Sequence, residues 1–73
     1  MIYEVIKDIK NSCSNNQMRD IFIREEDISD PDAWIRAAEP KASQILRENT
    51  PGGVRFHVTV AGMTTVYTLT EAE

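Results

Sequence analysis

The stretch Val54 to Leu69, VRFHVTVAGMTTVYTL, alternates apolar and polar residues on both sides of a glycine. Two such runs joined by a two-residue turn are typical of a β-hairpin. The apolar face is the same for an Ala61-Gly62 loop and a Gly62-Met63 loop, and a type II′ turn favours Gly62-Met63 because its first residue needs a positive φ. We predict one buried face made of Val54, Phe56, Val58, Val60, Met63, Thr65, Tyr67 and Leu69.

The opposite face of the predicted hairpin is polar, and its neighbour is not evident from the sequence. Its side chains could meet water, a second copy of the chain or a ligand. Phe56 and Tyr67 are predicted to point away from it, which disfavours the base-stacking sheet of many RNA-binding modules. The candidate binding face consists of Arg55, His57, Thr59, Thr64, Val66 and Thr68.

The first segment favours an amphipathic helix over a strand. Ile2, Val5, Ile6, Ile9 and Cys13 recur at helical spacing, whereas a strand would place charged residues on both of its faces. The small polar residues in NSCSNNQ, 11–17, predict a turn that ends this helix. The consecutive apolar residues of IFI, 21–23, then indicate a buried strand over 19–24.

A second helix is predicted to begin at Pro31, with Asp30 as its cap. An apolar stripe from Trp34 to Leu46 extends this helix to Asn49, with a kink or two abutting helices near Glu39 because Pro40 lacks the backbone donor. NTPGG, 49–53, is a strong stop signal. The sequence thus predicts a two-layer α+β domain over 1–73, ordered helix-strand-helix-strand-strand, with both helices on one face of a three-stranded sheet.

Composition and charge exclude several classes of protein. The values of 41% hydrophobic and 27% charged residues are those of a globular domain, and one core is expected in 73 residues. The eight basic residues are scattered, which disfavours nucleic-acid binding. Charges interrupt the apolar residues of MIYEVIKDIK, 1–10, every two or three positions, which disfavours a membrane span there. A lone cysteine cannot form an intrachain disulfide, so we expect a soluble protein of a reducing cytoplasm.

No motif in the sequence assigns a catalytic residue, a metal site or a cofactor. The acidic run 25–32 lacks the alternating ligands and the glycine of a calcium loop. TPGGVR, 50–55, lacks the lysine of a phosphate-binding loop and leads into a strand. The acidic run is better interpreted as negative charge that precedes the N-terminus of a helix. TPGGVR is better interpreted as a turn.

Three hypotheses for function remain open. The first is a small non-enzymatic, bacterial-type interaction or regulatory domain that forms a homodimer, either through the polar hairpin face or through the last strand, TTVYTLTE, as an exposed sheet edge. The second is a thiol-dependent enzyme or sulfur carrier that uses Cys13. The third is a domain that binds a small molecule or an anion at Arg55 and His57.

Overall fold

The structure is a computed structural model that describes residues 1–10 and 19–72, and it is mostly β. Within those ranges, five antiparallel strands form one sheet in the order β2-β1-β5-β4-β3, and there is one short helix. The predicted three-stranded sheet with two helices is therefore wrong. The elements are β1 (Ile2–Lys10), β2 (Arg19–Asp27), α1 (Pro31–Ala38), β3 (Gln44–Thr50), β4 (Gly53–Val60) and β5 (Met63–Glu71).

The first segment is strand β1, so the helix predicted there is wrong. It pairs along its length with β2 on one side and with β5 on the other. Its isoleucines and valine have β-branched side chains, which suit a strand better than a helix. Charge does occur on both faces, as the strand interpretation required: Lys7 lies on the inner face opposite Tyr67, and Asp8 lies on the outer face opposite Val66.

The second predicted helix is correct at its start and wrong at its end. Asp30 caps α1 by accepting hydrogen bonds from the backbone nitrogens of Asp32 and Ala33, at 3.1 and 3.4 Å. The helix stops at Ala38, ahead of Pro40, and Ile45 and Leu46, which continued its stripe, lie in strand β3 instead. Proline ends the helix because it cannot donate the next hydrogen bond.

The hairpin of β4 and β5 has the predicted alternation, but Met63, predicted on the buried face, is 39% exposed beside the loop. Phe56 and Tyr67 are 0% and 4% exposed, which confirms that both rings point into the core. The loop is Ala61-Gly62 rather than Gly62-Met63, with φ values of 51° and 79°. Positive φ at both positions is the type I′ geometry, whose twist suits a two-residue hairpin.

One core lies between α1 and the inner face of the sheet. The helix follows β2 and precedes β3, which are opposite edges of the sheet, so it connects the two edges across this face. Ile35 is the residue of α1 that is fully enclosed. The buried apolar residues are Val5, Ile28, Ile35, Val54, Phe56, Val58, Tyr67 and Leu69.

Strand β5 is a central strand, so the exposed edge predicted at TTVYTLTE is wrong. It lies between β1 and β4, and its backbone is paired on both sides. The two edges of the sheet are β2 and β3. Any pairing of this sheet with another chain must therefore use β2 or β3.

Candidate interaction surfaces

The six residues predicted as a binding face lie together on the outer face of the sheet. Arg55 is opposite Thr68, His57 is opposite Val66, and Thr59 is opposite Thr64. Strand β1 adds Ile6 and Asp8 beside them, because Ile6 pairs with Thr68 and Asp8 with Val66. A shallow depression of about 280 Å³ is lined by Ile6, Asp8, Arg55, His57, Val66 and Thr68.

Glu48 of β3 joins this face and neutralises part of its positive charge. Its Oε1 accepts a hydrogen bond from His57 Nε2 at 3.1 Å and lies 3.4 Å from Arg55 Nη1. Arg55 Nε also donates to Thr68 Oγ1 at 3.4 Å. Sequence reasoning missed Glu48 because it fell inside the predicted second helix, and only the β3–β4 register places it opposite Arg55.

The pKa of Glu48 is below its ordinary value, chiefly because of the hydrogen bond from His57, with Arg55 adding a smaller effect. We expect His57→Ala to move the pKa of Glu48 back up, measured from the side-chain carboxyl carbon by NMR titration. Because the carboxylate is the favoured form, this interaction favours folding above the ordinary carboxyl pKa and is lost as pH falls through the lowered value.

Thr59→Ala is the matched control for that titration, since Thr59 lies on the same strand and face and pairs with Thr64 and Gln44. It should leave the titration of Glu48 unchanged. An unchanged pKa of Glu48 in His57→Ala would show that the hydrogen bond does not form in solution.

The strand predicted over 19–24 is present as β2, but its predicted burial is wrong, because β2 is an edge strand with three consecutive exposed apolar residues. Ile21, Phe22 and Ile23 are 51%, 56% and 64% exposed. By register, Phe22 lies on the inner face opposite Lys7, while Ile21 and Ile23 lie on the outer face opposite Asp8 and Ile6. Apolar side chains therefore extend from both faces of this edge.

The backbone of β2 presents hydrogen-bonding groups outward at alternate residues. Ile28 donates its backbone N–H to the carbonyl of Met1 at 2.9 Å, which fixes the phase of the β1–β2 ladder. Because hydrogen-bonded and non-hydrogen-bonded pairs alternate in an antiparallel ladder, Phe22 and Arg24 turn their backbone groups toward β1. Ile21, Ile23 and Glu25 consequently turn theirs toward the open edge.

A groove of about 370 Å³ lies on the inner face beside α1. Three aromatic rings and two cationic side chains line it. The lining residues are Val5, Lys7, Phe22, Ile23, Arg24, Trp34 and Tyr67.

The acidic run 25–32 stabilises the fold through three of its aspartates. Asp30 caps α1, Asp32 forms an ion pair with Arg47, and Asp27 binds the terminal ammonium of Met1 at 3.0 Å. No group of three or more His, Cys, Asp or Glu that could hold a metal ion occurs in 1–10 and 19–72. In the same ranges, α1 is too short to cross a membrane, and no other helix is present.

Cys13, the candidate reactive thiol, and the turn predicted over 11–17 lie outside the described residues. The comparisons with known proteins add no further assignment. No protein-family model matches the chain, and no curated protein or solved structure matches it either.

Proposed function

We propose that this chain is a non-enzymatic interaction domain that forms a homodimer by pairing β2 with β2 of a second copy. The observation that carries the proposal is the exposure of Ile21, Phe22 and Ile23 together on an edge strand. Unpaired edges usually carry charges, prolines or bulges that prevent pairing with another chain. Strand β2 instead exposes an apolar centre between charged ends.

Strand β2 is complementary to itself in one antiparallel register. When Phe22 lies on the two-fold axis, Ile21 of one copy is opposite Ile23 of the other. In the same register, Arg19 is opposite Glu25 and Asp20 is opposite Arg24, so the sequence has residues of opposite charge at matching positions on both sides of the axis. Opposite-charge and aromatic cross-strand pairs each contribute about 0.2–1 kcal/mol.

The directions of the backbone N–H and C=O groups of β2 agree with this register. Ile21 and Ile23 both turn their backbone groups outward, so they can form a hydrogen-bonded pair across the axis. Phe22 then forms the non-hydrogen-bonded pair, in which side chains come closest. The axis is perpendicular to the sheet, so both helices lie on the same side of one continuous ten-stranded sheet.

Neighbouring registers are less favourable. With Ile23 on the axis, Asp20 would be opposite Glu26, and Ile21 would be opposite Glu25. With Ile21 on the axis, Arg19 would be opposite Ile23, and Asp20 would be opposite Phe22. Like charges directly opposite each other are destabilising, and an apolar residue opposite a charge gains little.

A cysteine cross-link tests both the dimer and its register. In a Cys13→Ser background, Phe22→Cys should give a disulfide-linked dimer under mild oxidation, because a non-hydrogen-bonded pair brings the two Cα atoms to about 4.5 Å, within disulfide range. Leu46→Cys, an equally exposed position on the other edge strand, is the matched control and should remain mostly without a disulfide cross-link.

Charge reversal supplies an independent readout by sedimentation velocity. Arg24→Asp alone should weaken the dimer, and adding Asp20→Arg should restore it, since the two positions are opposite each other in the proposed register. Arg36→Asp, a reversal on exposed α1, should have no effect. A wild-type chain that remains monomeric at the highest soluble concentration, or a double variant that is not restored, would contradict the proposal.

Other functions have weaker support from the geometry. Anion binding at Arg55 and His57 has to compete with Glu48, which contacts both side chains. A thiol function of Cys13 would be tested by its rate of alkylation against pH. The cytoplasm remains our proposed location on the basis of the single cysteine.

A further inference from the structure

The inner-face groove has an apolar floor and aromatic walls. Val5 is 3% exposed at its base, and the Trp34 and Tyr67 rings meet edge to face with centroids 5.8 Å apart. Phe22 forms the outer wall from the edge strand. Because its volume of about 370 Å³ is at the lower end of the usual range for ligand sites, the groove suits a compact ligand.

Positive charge surrounds this apolar interior. Lys7 places its Nζ 5.5 Å from the centroid of the Tyr67 ring, and no ion pair joins Lys7 to a carboxylate among the described residues. Arg24 is the second cation, and its Nη2 lies 3.0 Å from Glu26 Oε2. Glu26 offsets the charge of Arg24, so Lys7 is the cation of the groove lining that forms no ion pair with a described carboxylate.

Glu39, the C-cap of α1, is hydrogen-bonded to an aromatic residue of the groove. Glu39 accepts a hydrogen bond of 2.5 Å from the Tyr67 hydroxyl, and burial together with Glu39 raises the pKa of that phenol. The Tyr67 hydroxyl therefore stays protonated and directed at Glu39. Lys7 is left as the group that can meet an incoming anion.

We infer that this groove binds a small ligand with a flat apolar body and one negative charge, such as an aromatic carboxylate or sulfonate. The ring system lies against Trp34, Tyr67 and Phe22, and the anion pairs with Lys7. The inference does not rest on the dimer, because Val5, Lys7, Trp34 and Tyr67 line the groove within one chain, and Phe22 is the lining residue that also belongs to the proposed dimer contact.

The single tryptophan, Trp34, reports binding directly because it lines the groove. The probes are anilinonaphthalene sulfonate and phenylnaphthylamine, which share a ring system and differ in the sulfonate. We expect saturable quenching of Trp34 fluorescence at one site per chain, with tighter binding of the sulfonate. Lys7→Gln should weaken the sulfonate about tenfold and leave the neutral probe unchanged, as expected for loss of one charge-assisted contact.

Two further variants separate charge from folding. Lys7→Arg keeps the cation and should retain the preference for the sulfonate, whereas Lys41→Gln removes an exposed charge from outside the groove and should change nothing. Equal affinity of wild type for both probes, absence of saturable quenching, or an unchanged preference in Lys7→Gln would each overturn the inference.

Discussion

The variant Phe56→Ala is expected to be largely unfolded at room temperature. Phe56 is 0% exposed at the centre of the core, and it is paired with Tyr67 on β5 and with Arg47 on β3. Truncating a buried phenylalanine costs about 3–5 kcal/mol. A single core of this size supplies about the same, roughly 3–5 kcal/mol, so little or no stability remains.

Phe22→Ala is the matched control, because it makes the same substitution at an exposed position. At dilute concentration, where self-association does not contribute, it should change the free energy of unfolding by only about 0.5 kcal/mol. Urea denaturation followed by Trp34 fluorescence measures both variants. Comparable losses in the free energy of unfolding for Phe56→Ala and Phe22→Ala would mean that the core is not centred on Phe56.

Gly53→Ala is expected to cost about 3 kcal/mol, the upper part of the range for overpacked sites. A Cβ at Gly53 would overlap the carbonyl oxygen of Leu69 and would lie 2.9 Å from its carbonyl carbon and 3.1 Å from Thr70 Cα. All three atoms belong to the backbone of β5, so no side-chain rotation relieves the clash. Strand β4 would have to move away from the central strand.

Gly52→Asn is the control for that substitution. Gly52 has a φ of 79° with open space around it, and asparagine tolerates this conformation better than other residues. The free energy of unfolding of this variant should fall by less than about 1 kcal/mol. Equal losses of stability for the two variants in thermal denaturation would mean that the conformation of the turn limits substitution at 52–53. The close approach of β4 to β5 would then not be the limiting factor.

The features that the sequence predicts correctly depend on neighbours in the chain. The inward rings of Phe56 and Tyr67 follow from alternation around a two-residue loop, and both possible loops give the same faces. The start of α1 follows from Asp30 and Pro31, whose effects act within one turn. Neither prediction requires knowledge of distant strands.

The errors have a common physical origin in long-range pairing. Val5 and Ile9 fit a helical stripe, but their stabilising partners are on β2 and β5, far away in the sequence. Ile45 continued the stripe of α1 by coincidence, although Pro40 already favoured an earlier end. Tertiary pairing overrides weak local periodicity in both segments.

The candidate sites could be predicted only in part from the sequence, for the same reason. The hairpin alternation placed Arg55 and His57 on one face, but it could not supply Glu48, which arrives from an edge strand that had been interpreted as helix. The exposed edge at Phe22 also depends on strand order, which places β2 outside β1. Strand order is a property of the whole sheet, and no local pattern encodes it.

The position of β5 between β1 and β4 has a consequence for how the chain acquires its structure. Tyr3 pairs with Glu71, so the sheet is joined across its middle by the first and last strands in sequence order. Closing so long a loop is slow, because the chain loses conformational entropy before the contacts between β1 and β5 can stabilise the sheet. Until β5 pairs with them, β1 and β4 each keep one backbone edge open, and pairing with another chain competes with folding at those two edges.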